Sequence, residues 1–216
     1  MTKVYAYRWV PPFAQGQVRD LRVRWALEEA GLAYEAVLIA HADRNASDYR
    51  DKQPFGQVPA FQDGELTLFE SGAIVLHLGE RSEALMPTDP VGRARAMMWL
   101  IAALNSIEPA VQQLGELSAF HAGKAWAAER RPELEAMVRA RLADLAKALG
   151  DKTFLEGERF TVGDLMMASV LRILDGTDLV AEQPGLKAYL DRCLARPAFQ
   201  RALEAQMKPF RENAPA

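Results

Sequence analysis

A single cysteine, Cys193, and only three histidines stand among the 216 residues of the chain. One thiol cannot close an internal disulfide, form a CxxC redox pair or build a thiolate metal site. His41, His77 and His121 lie far apart without ligand spacing, so no metal centre is expected. An excess of one charge is missing too: 26 Lys and Arg face 29 Asp and Glu, a net charge of −3. Without a cationic surplus to displace counterions from a polyanion, nucleic-acid binding is not expected. The longest unbroken apolar run, Ala96 to Leu104, falls far short of the ~20 residues that span a bilayer. The first residues also lack the long apolar core of a signal peptide. These absences predict a soluble, cytoplasmic protein without nucleic-acid or membrane partners.

What is present is enough for a packed core. Half the residues (50%) are hydrophobic, which excludes wholesale disorder. The length suits one large domain or two small ones. The first eighty or so residues alternate strand-like and helix-like segments. Val4–Tyr7 suits a strand, and Pro11, Pro12 and Gly16 break the chain after it. Val18, Leu21, Trp25 and Leu27 then follow helical spacing up to Gly31, a C-terminal glycine signal. Tyr34–Ile39 is a second strand candidate, and Ser47–Gln53 a short polar helix or loop. Val58–Phe61 and Leu66–Phe69 flank an Asp63-Gly64 hairpin signal, and a helix opening at Glu70-Ser71 buries Ile74, Val75 and Leu78. The order βαβ, then ββα, predicts an α/β domain over residues 1–82 with a mixed sheet. After a linker at 83–90, which carries Pro87 and Pro90, only helical periodicity appears. Met97, Leu100, Ile101, Leu104 and Ile107 mark one helix of an all-α domain over 91–216, and Leu134 to Leu149 another. Thr161 and Asp164 make a capping box for a third, with Phe160 and Leu165 as its staple. The stripe Met97, Met98, Trp99 fits core packing, and Cys193 reads as a small helix residue.

Three features of the first half fit one binding site. An X-Pro bond such as Val58–Pro59 is usually trans and opens an edge strand; in the cis form it frees the Val58 backbone for an extended ligand. Ser71 at a helix start can be an ordinary cap. With Glu70 beside it, it can also hold the carboxylate and ammonium groups of an amino acid. The loop after the first strand, with Tyr7, Arg8, Gln15, Gln17 and Arg19, lies where an α/β sheet takes its ligand.

Taken together these segments resemble the cytosolic glutathione S-transferase superfamily. The resemblance rests on Arg22–Gly31 (RVRWALEEAG), Pro54–Phe61 (PFGQVPAF), Phe69–Ile74 (FESGAI), Arg93–Ala96, Phe160–Asp164 and Arg196–Phe199. It implies a thioredoxin-like N-terminal domain that binds glutathione, beside a helical domain that supplies most of the site for a small apolar electrophile. By position, Val58 would pair its backbone with the cysteinyl part of glutathione, with Pro59 cis. Gln57 would lie along the tripeptide, and Glu70 and Ser71 would hold its γ-glutamyl end. The resemblance further implies a homodimer and a role in detoxification.

The sequence also departs from the family. The serine or cysteine that many members use to activate the thiol would fall at Gln17, and neither residue type occurs between Met1 and Leu32. The loop before that position is longer than usual, and members that use tyrosine make Tyr7 the nearest match. Only ~3% of a free thiol of pKa ~8.5 is ionised at pH 7, so a donor to the sulfur is needed. Tyr7, Arg19, Gln17 or a backbone N–H can supply it. The expected activity is conjugation or reduction of electrophiles by a bound thiolate. A glutathione-dependent isomerase and a non-catalytic interaction module of the same fold are the alternatives.

Overall fold

The computed structural model describes residues 1–215, and they divide into two compact units, one of residues 1–86 with those from Arg196 onward and one of Pro87–Ala195. The first unit is built on β1 (Lys3–Tyr7), β2 (Glu35–Ile39), β3 (Ala60–Asp63) and β4 (Leu66–Phe69), in the order β2-β1-β3-β4. α1 (Asp20–Ala30) joins β1 to its parallel neighbour β2, and the other two pairings are antiparallel. Period-two alternation buries Val4 and Ala6 on one face of β1 and leaves Tyr5 and Tyr7 half-buried on the other.

Local chemistry sets the boundaries. α1 ends at Gly31, whose φ of 65° is the left-handed conformation a helix terminus needs. Gly64, at φ 61°, and Glu65 form the two-residue turn between β3 and β4. β3 starts at Ala60, two residues after the apolar run at Val58 begins, because Pro59 has no N–H to give the ladder. α2 (Ser47–Arg50) is a short polar turn of helix, and α3 (Ser71–Glu80) buries Ile74, Val75 and Leu78.

The second unit is helical: α4 (Pro90–Ala102), α5 (Glu108–Phe120), α6 (Ala125–Leu149), α7 (Val162–Leu171) and α8 (Pro184–Leu194). Asp89 caps α4 by accepting from the Gly92 N–H at 2.8 Å. The single helix expected through Ile107 is interrupted by a π-helical turn at Ala103–Ile107. Pro109 cannot donate to a carbonyl one turn back, so the regular ladder fails there. Met97 and Met98 are not core residues but 38% and 53% exposed; Ala96, Leu100, Ala103 and Ile107 take the buried face. Leu134, Val138, Leu142, Leu145 and Leu149 of α6 are all buried, as is Cys193 in α8. Among the described residues no helix is long and apolar enough to cross a membrane, and no cluster of His, Cys, Asp or Glu is arranged to hold a metal ion.

The last helix lies within the stretch 91–216 but groups with the sheet unit. α9 (Pro197–Glu212) belongs to the first unit, not to the helical one. Arg196, just before α9, forks onto Glu29 of α1 with two bonds of 2.6 and 2.7 Å, and Arg201 reaches Glu28 at 2.7 Å. Phe199 meets the buried Trp25 ring edge-on at 4.8 Å between centroids. Deeper in, Gln206 donates to the Asp20 carboxylate at 2.6 Å and to the Val18 carbonyl at 3.0 Å. Asp20 also takes the Arg24 guanidinium at 2.7 Å. Charged groups this well buried persist only because they are paired.

The capping box of α7 is the most connected polar group of the helical unit. Asp164 is fully buried and accepts from the N–H groups of Leu155 and Thr161, from the Thr161 hydroxyl and from the Tyr189 hydroxyl, at 2.8 to 3.1 Å. Asp164→Ala leaves several buried donors without acceptors and is expected to lower unfolding free energy by about 3 kcal/mol or more. Urea unfolding of the variant checks this; a loss under ~1 kcal/mol contradicts it.

Candidate functional site

The sheet register gathers the singled-out residues. Tyr5 of β1 lies opposite Ala60 of β3, and Ala60 lies opposite Phe69 of β4. Those ladders end at Ala60 and Phe69. Tyr7 closes β1 beside Ile39 of β2, Val58 lies two residues before β3, and Ser71 lies two residues after β4, so the three sit in a row across one end of the sheet.

Tyr7 ends β1 half-buried, packed with Tyr5 and Val18 against Ile39, Tyr49, Val58 and Ala60. Its ring lies 5.4 Å from that of His41. Tyr5, on the same face one strand repeat back, donates its hydroxyl to Gln62 at 3.1 Å and is half-buried rather than fully enclosed. Val18 brings the start of α1 to this cluster, with Gln17 and Arg19 half-buried on either side of it. The Gln17 N–H bonds back to the Ala14 carbonyl at 3.0 Å, closing the loop around a 3-10 turn at Pro12–Ala14.

The segment before β3 is held from below. The Tyr49 hydroxyl donates to the Gln57 carbonyl at 2.6 Å. Burial, with Tyr7 and Tyr5 nearby, pushes the Tyr49 phenol well above its ordinary pKa, so it remains a donor. The Gln57 side chain is exposed, whereas Val58 and Pro59 are buried and joined by a cis peptide bond. No backbone–backbone hydrogen bond among the described residues uses the Val58 N–H or C=O.

At the far end of the row Glu70 has φ 68° and ψ 115°, and it is the one non-glycine residue with positive φ among the described residues. A side chain in that region carries backbone strain of order 1–3 kcal/mol, a feature that concentrates at functional sites. The Glu70 side chain is exposed, while Ser71 is only 4% exposed. The Ser71 hydroxyl oxygen accepts from Arg22 Nη1 at 3.3 Å. The first paired N–H of α3 is that of Ile74, to the Glu70 carbonyl at 3.0 Å. Ser71, Gly72 and Ala73 therefore present N–H groups with no intrahelical acceptor, at the positive end of the helix dipole.

Sequence reasoning missed Arg22 and Tyr49. Arg22 and Arg24 are charged residues inside a run otherwise made of core side chains, and that conflict was the available signal. Nothing local marks Tyr49, whose role comes from a contact eight residues away, across the turn before β3.

Comparisons with known proteins fit this arrangement. The family model described as glutathione S-transferase, N-terminal domain, matches residues 14–80, and that of the C-terminal domain matches 96–197. The chain is 32% identical over 216 residues to a glutathione S-transferase-like protein of Aspergillus terreus, covering 91% of this chain and 95% of that one. It is 30% identical over 200 residues to a glutathione S-transferase of Hyoscyamus muticus, covering 85% and 92%. A glutathione transferase of Burkholderia graminis, solved with two glutathione molecules per subunit, superposes with a TM-score of 0.82 at 25% identity, covering 94% and 88%. With both of its family domains matched in order and a thioredoxin-like sheet unit beside a helical one, the chain belongs to the glutathione S-transferase superfamily, whose co-substrate is glutathione.

Proposed function

We propose that the chain binds glutathione along the row Tyr7–Val58–Ser71 and uses its thiolate to attack small apolar electrophiles. The observation that supports this reading is the Val58 backbone, which has no ladder partner and packs in one cluster with Tyr7, at the end of the sheet where β4 leads into the N-terminus of α3. The γ-glutamyl carboxylate meets Ser71 and the N–H groups of α3, and its ammonium meets Glu70. The cysteinyl backbone pairs with Val58 while Gln57 flanks it. The sulfur then lies toward Tyr7.

Tyr7 O–H donates to the sulfur and lowers its pKa, which raises the thiolate fraction at neutral pH. The thiolate sulfur forms a bond to the electrophilic carbon, and the leaving group departs with its electron pair. The thiol proton goes to solvent. A reducing cytoplasm, where glutathione is held as the free thiol, suits this chemistry, and detoxification is the role it serves. Phe55 and Phe69 are 63% and 36% exposed with ring centroids 5.9 Å apart, a paired aromatic surface of the sort that a second copy of the chain covers in a homodimer.

The direct test is calorimetry with glutathione followed by turnover of a chloronitroarene. Tyr7→Phe is expected to raise the pKa of the bound thiol and lower turnover ~10- to 1,000-fold while glutathione affinity stays within about twofold. An unchanged rate in Tyr7→Phe with a loss in Arg19→Ala or Gln17→Ala moves activation to the loop. Glutathione binding with no turnover across varied electrophiles favours the interaction module instead.

Glu70→Gly separates stability from binding at one residue. Relief of the positive φ is expected to raise unfolding free energy by about 1 kcal/mol, while loss of the carboxylate weakens glutathione binding. Thermal unfolding and calorimetry on the same sample check both halves. Sedimentation at micromolar concentration is expected to give about twice the monomer mass, and substituting Phe55 and Phe69 by Ser is expected to return the monomer.

A further inference from the structure

We infer that Arg22 is a positioning residue for glutathione, acting through Ser71 by fixing which way the serine hydroxyl points. The inference rests on the proposed binding mode, with Ser71 at the γ-glutamyl carboxylate. A serine hydroxyl has one proton to donate and two lone pairs to accept with. A serine at the start of a helix commonly uses its oxygen to accept from its own backbone N–H groups, and its proton is then free to rotate. In this chain a guanidinium in the α1–α3 contact donates to that oxygen from behind. Arg22 has no acceptor atoms and stays charged at every physiological pH. The Ser71 proton therefore cannot point at Arg22, and it turns away, toward the open end of α3.

Burial makes this orientation count. Arg22 and Ser71 are both only 4% exposed, so water competes weakly for either partner. Glu70 contributes independently: its positive φ turns the chain sharply from β4 into α3, which sets Ser71 as the first helical residue, above Arg22. A cation one bond behind the hydroxyl also polarises it, and a polarised donor binds a carboxylate more strongly. Arg22 thus adds its charge to the three N–H groups of α3 without touching the ligand. What distinguishes Arg22 from a general support for the helix is that one of its bonds ends on the side-chain atom assigned to the carboxylate.

A double-substitution cycle read by calorimetry with glutathione tests this. Ser71→Ala and Arg22→Met are each expected to weaken binding about tenfold, the range for one charge-assisted hydrogen bond. The pair together is expected to lose less than about threefold beyond the weaker single variant, because the second change removes nothing further. Arg22→Lys, which keeps the charge and a donor, is expected to recover most of the affinity. Losses that multiply to about a hundredfold in the double variant, or an Arg22→Met protein that folds and binds as the parent does, overturn the inference. Should Arg22→Met fail to fold, the parent chain crystallised with glutathione decides. Ser71 Oγ is expected within hydrogen-bond distance of both Arg22 Nη1 and the glutamyl carboxylate, and a Ser71 Oγ out of reach of Arg22 Nη1 overturns the inference. A parent chain that does not bind glutathione at all defeats the binding mode itself, which is a separate result.

Discussion

Two antiparallel registers, Tyr5 with Ala60 and Ala60 with Phe69, govern almost everything the N-terminal unit can do. Side chains on a strand alternate with period two, so a one-residue slip in either pairing turns every residue of that strand to the opposite face. Such a slip would bury Tyr7 under the helices and lift Ala6 into its place. It would also shift Val58 relative to Tyr7, with which it shares a cluster. The register is held because Val4, Ala6, Ala60 and Phe61 are buried at 1% exposure or less, and none of them can be presented to water cheaply. The arrangement of Tyr7 and Val58 at the strand ends is thus a by-product of core packing in the middle of the sheet.

The same unit relies on a helix drawn from the far end of the chain. α9 meets α1 through an aromatic edge, two arginine–glutamate pairs and the buried group of Asp20, Arg24 and Gln206. Gln206 holds the Val18 carbonyl and the Asp20 carboxylate, one at each end of the short step into α1. Val18 in turn packs with Tyr7. The start of α1, where the thiol-activating group of this superfamily is sought, is therefore shaped partly by a residue almost two hundred positions later in sequence.

Most of the fold was legible because its signals are local. Gly31, the Thr161–Asp164 box and the leucine spacing of α6 each act within a few residues and are found where the pattern puts them, and the hairpin signal at Asp63-Gly64 is met by a turn one residue on, at Gly64-Glu65. The site was legible to the extent that it uses such signals: Glu70-Ser71 at a helix start and a proline beside Val58. Its supports were not, since Arg22 to Ser71 and Gln206 to Asp20 span 49 and 186 residues. The methionines of α4 misled for a different reason. A hydrophobic run on a helix longer than one face must expose part of itself, and Ala96 and Leu100 filled the buried stripe first. The unit to which α9 belongs could not be read from its own amphipathic pattern, which says that a helix buries one face and not against what.

The attachment of α9 to the N-terminal unit bears on the order in which the chain can fold during synthesis. A ribosome releases residues 1–86 first, yet the salt bridge from Glu29 waits for Arg196, 167 residues later, and the amide contact to Asp20 waits longer. The helical unit of Pro87–Ala195 is a single continuous stretch and has all its parts once that stretch has emerged. At the ~5–20 residues per second of translation, the first unit spends on the order of ten seconds with the Trp25 face of α1 uncovered. The unit synthesised first is in this sense the one completed last, and its exposed aromatic surface is what a nascent-chain chaperone would meet.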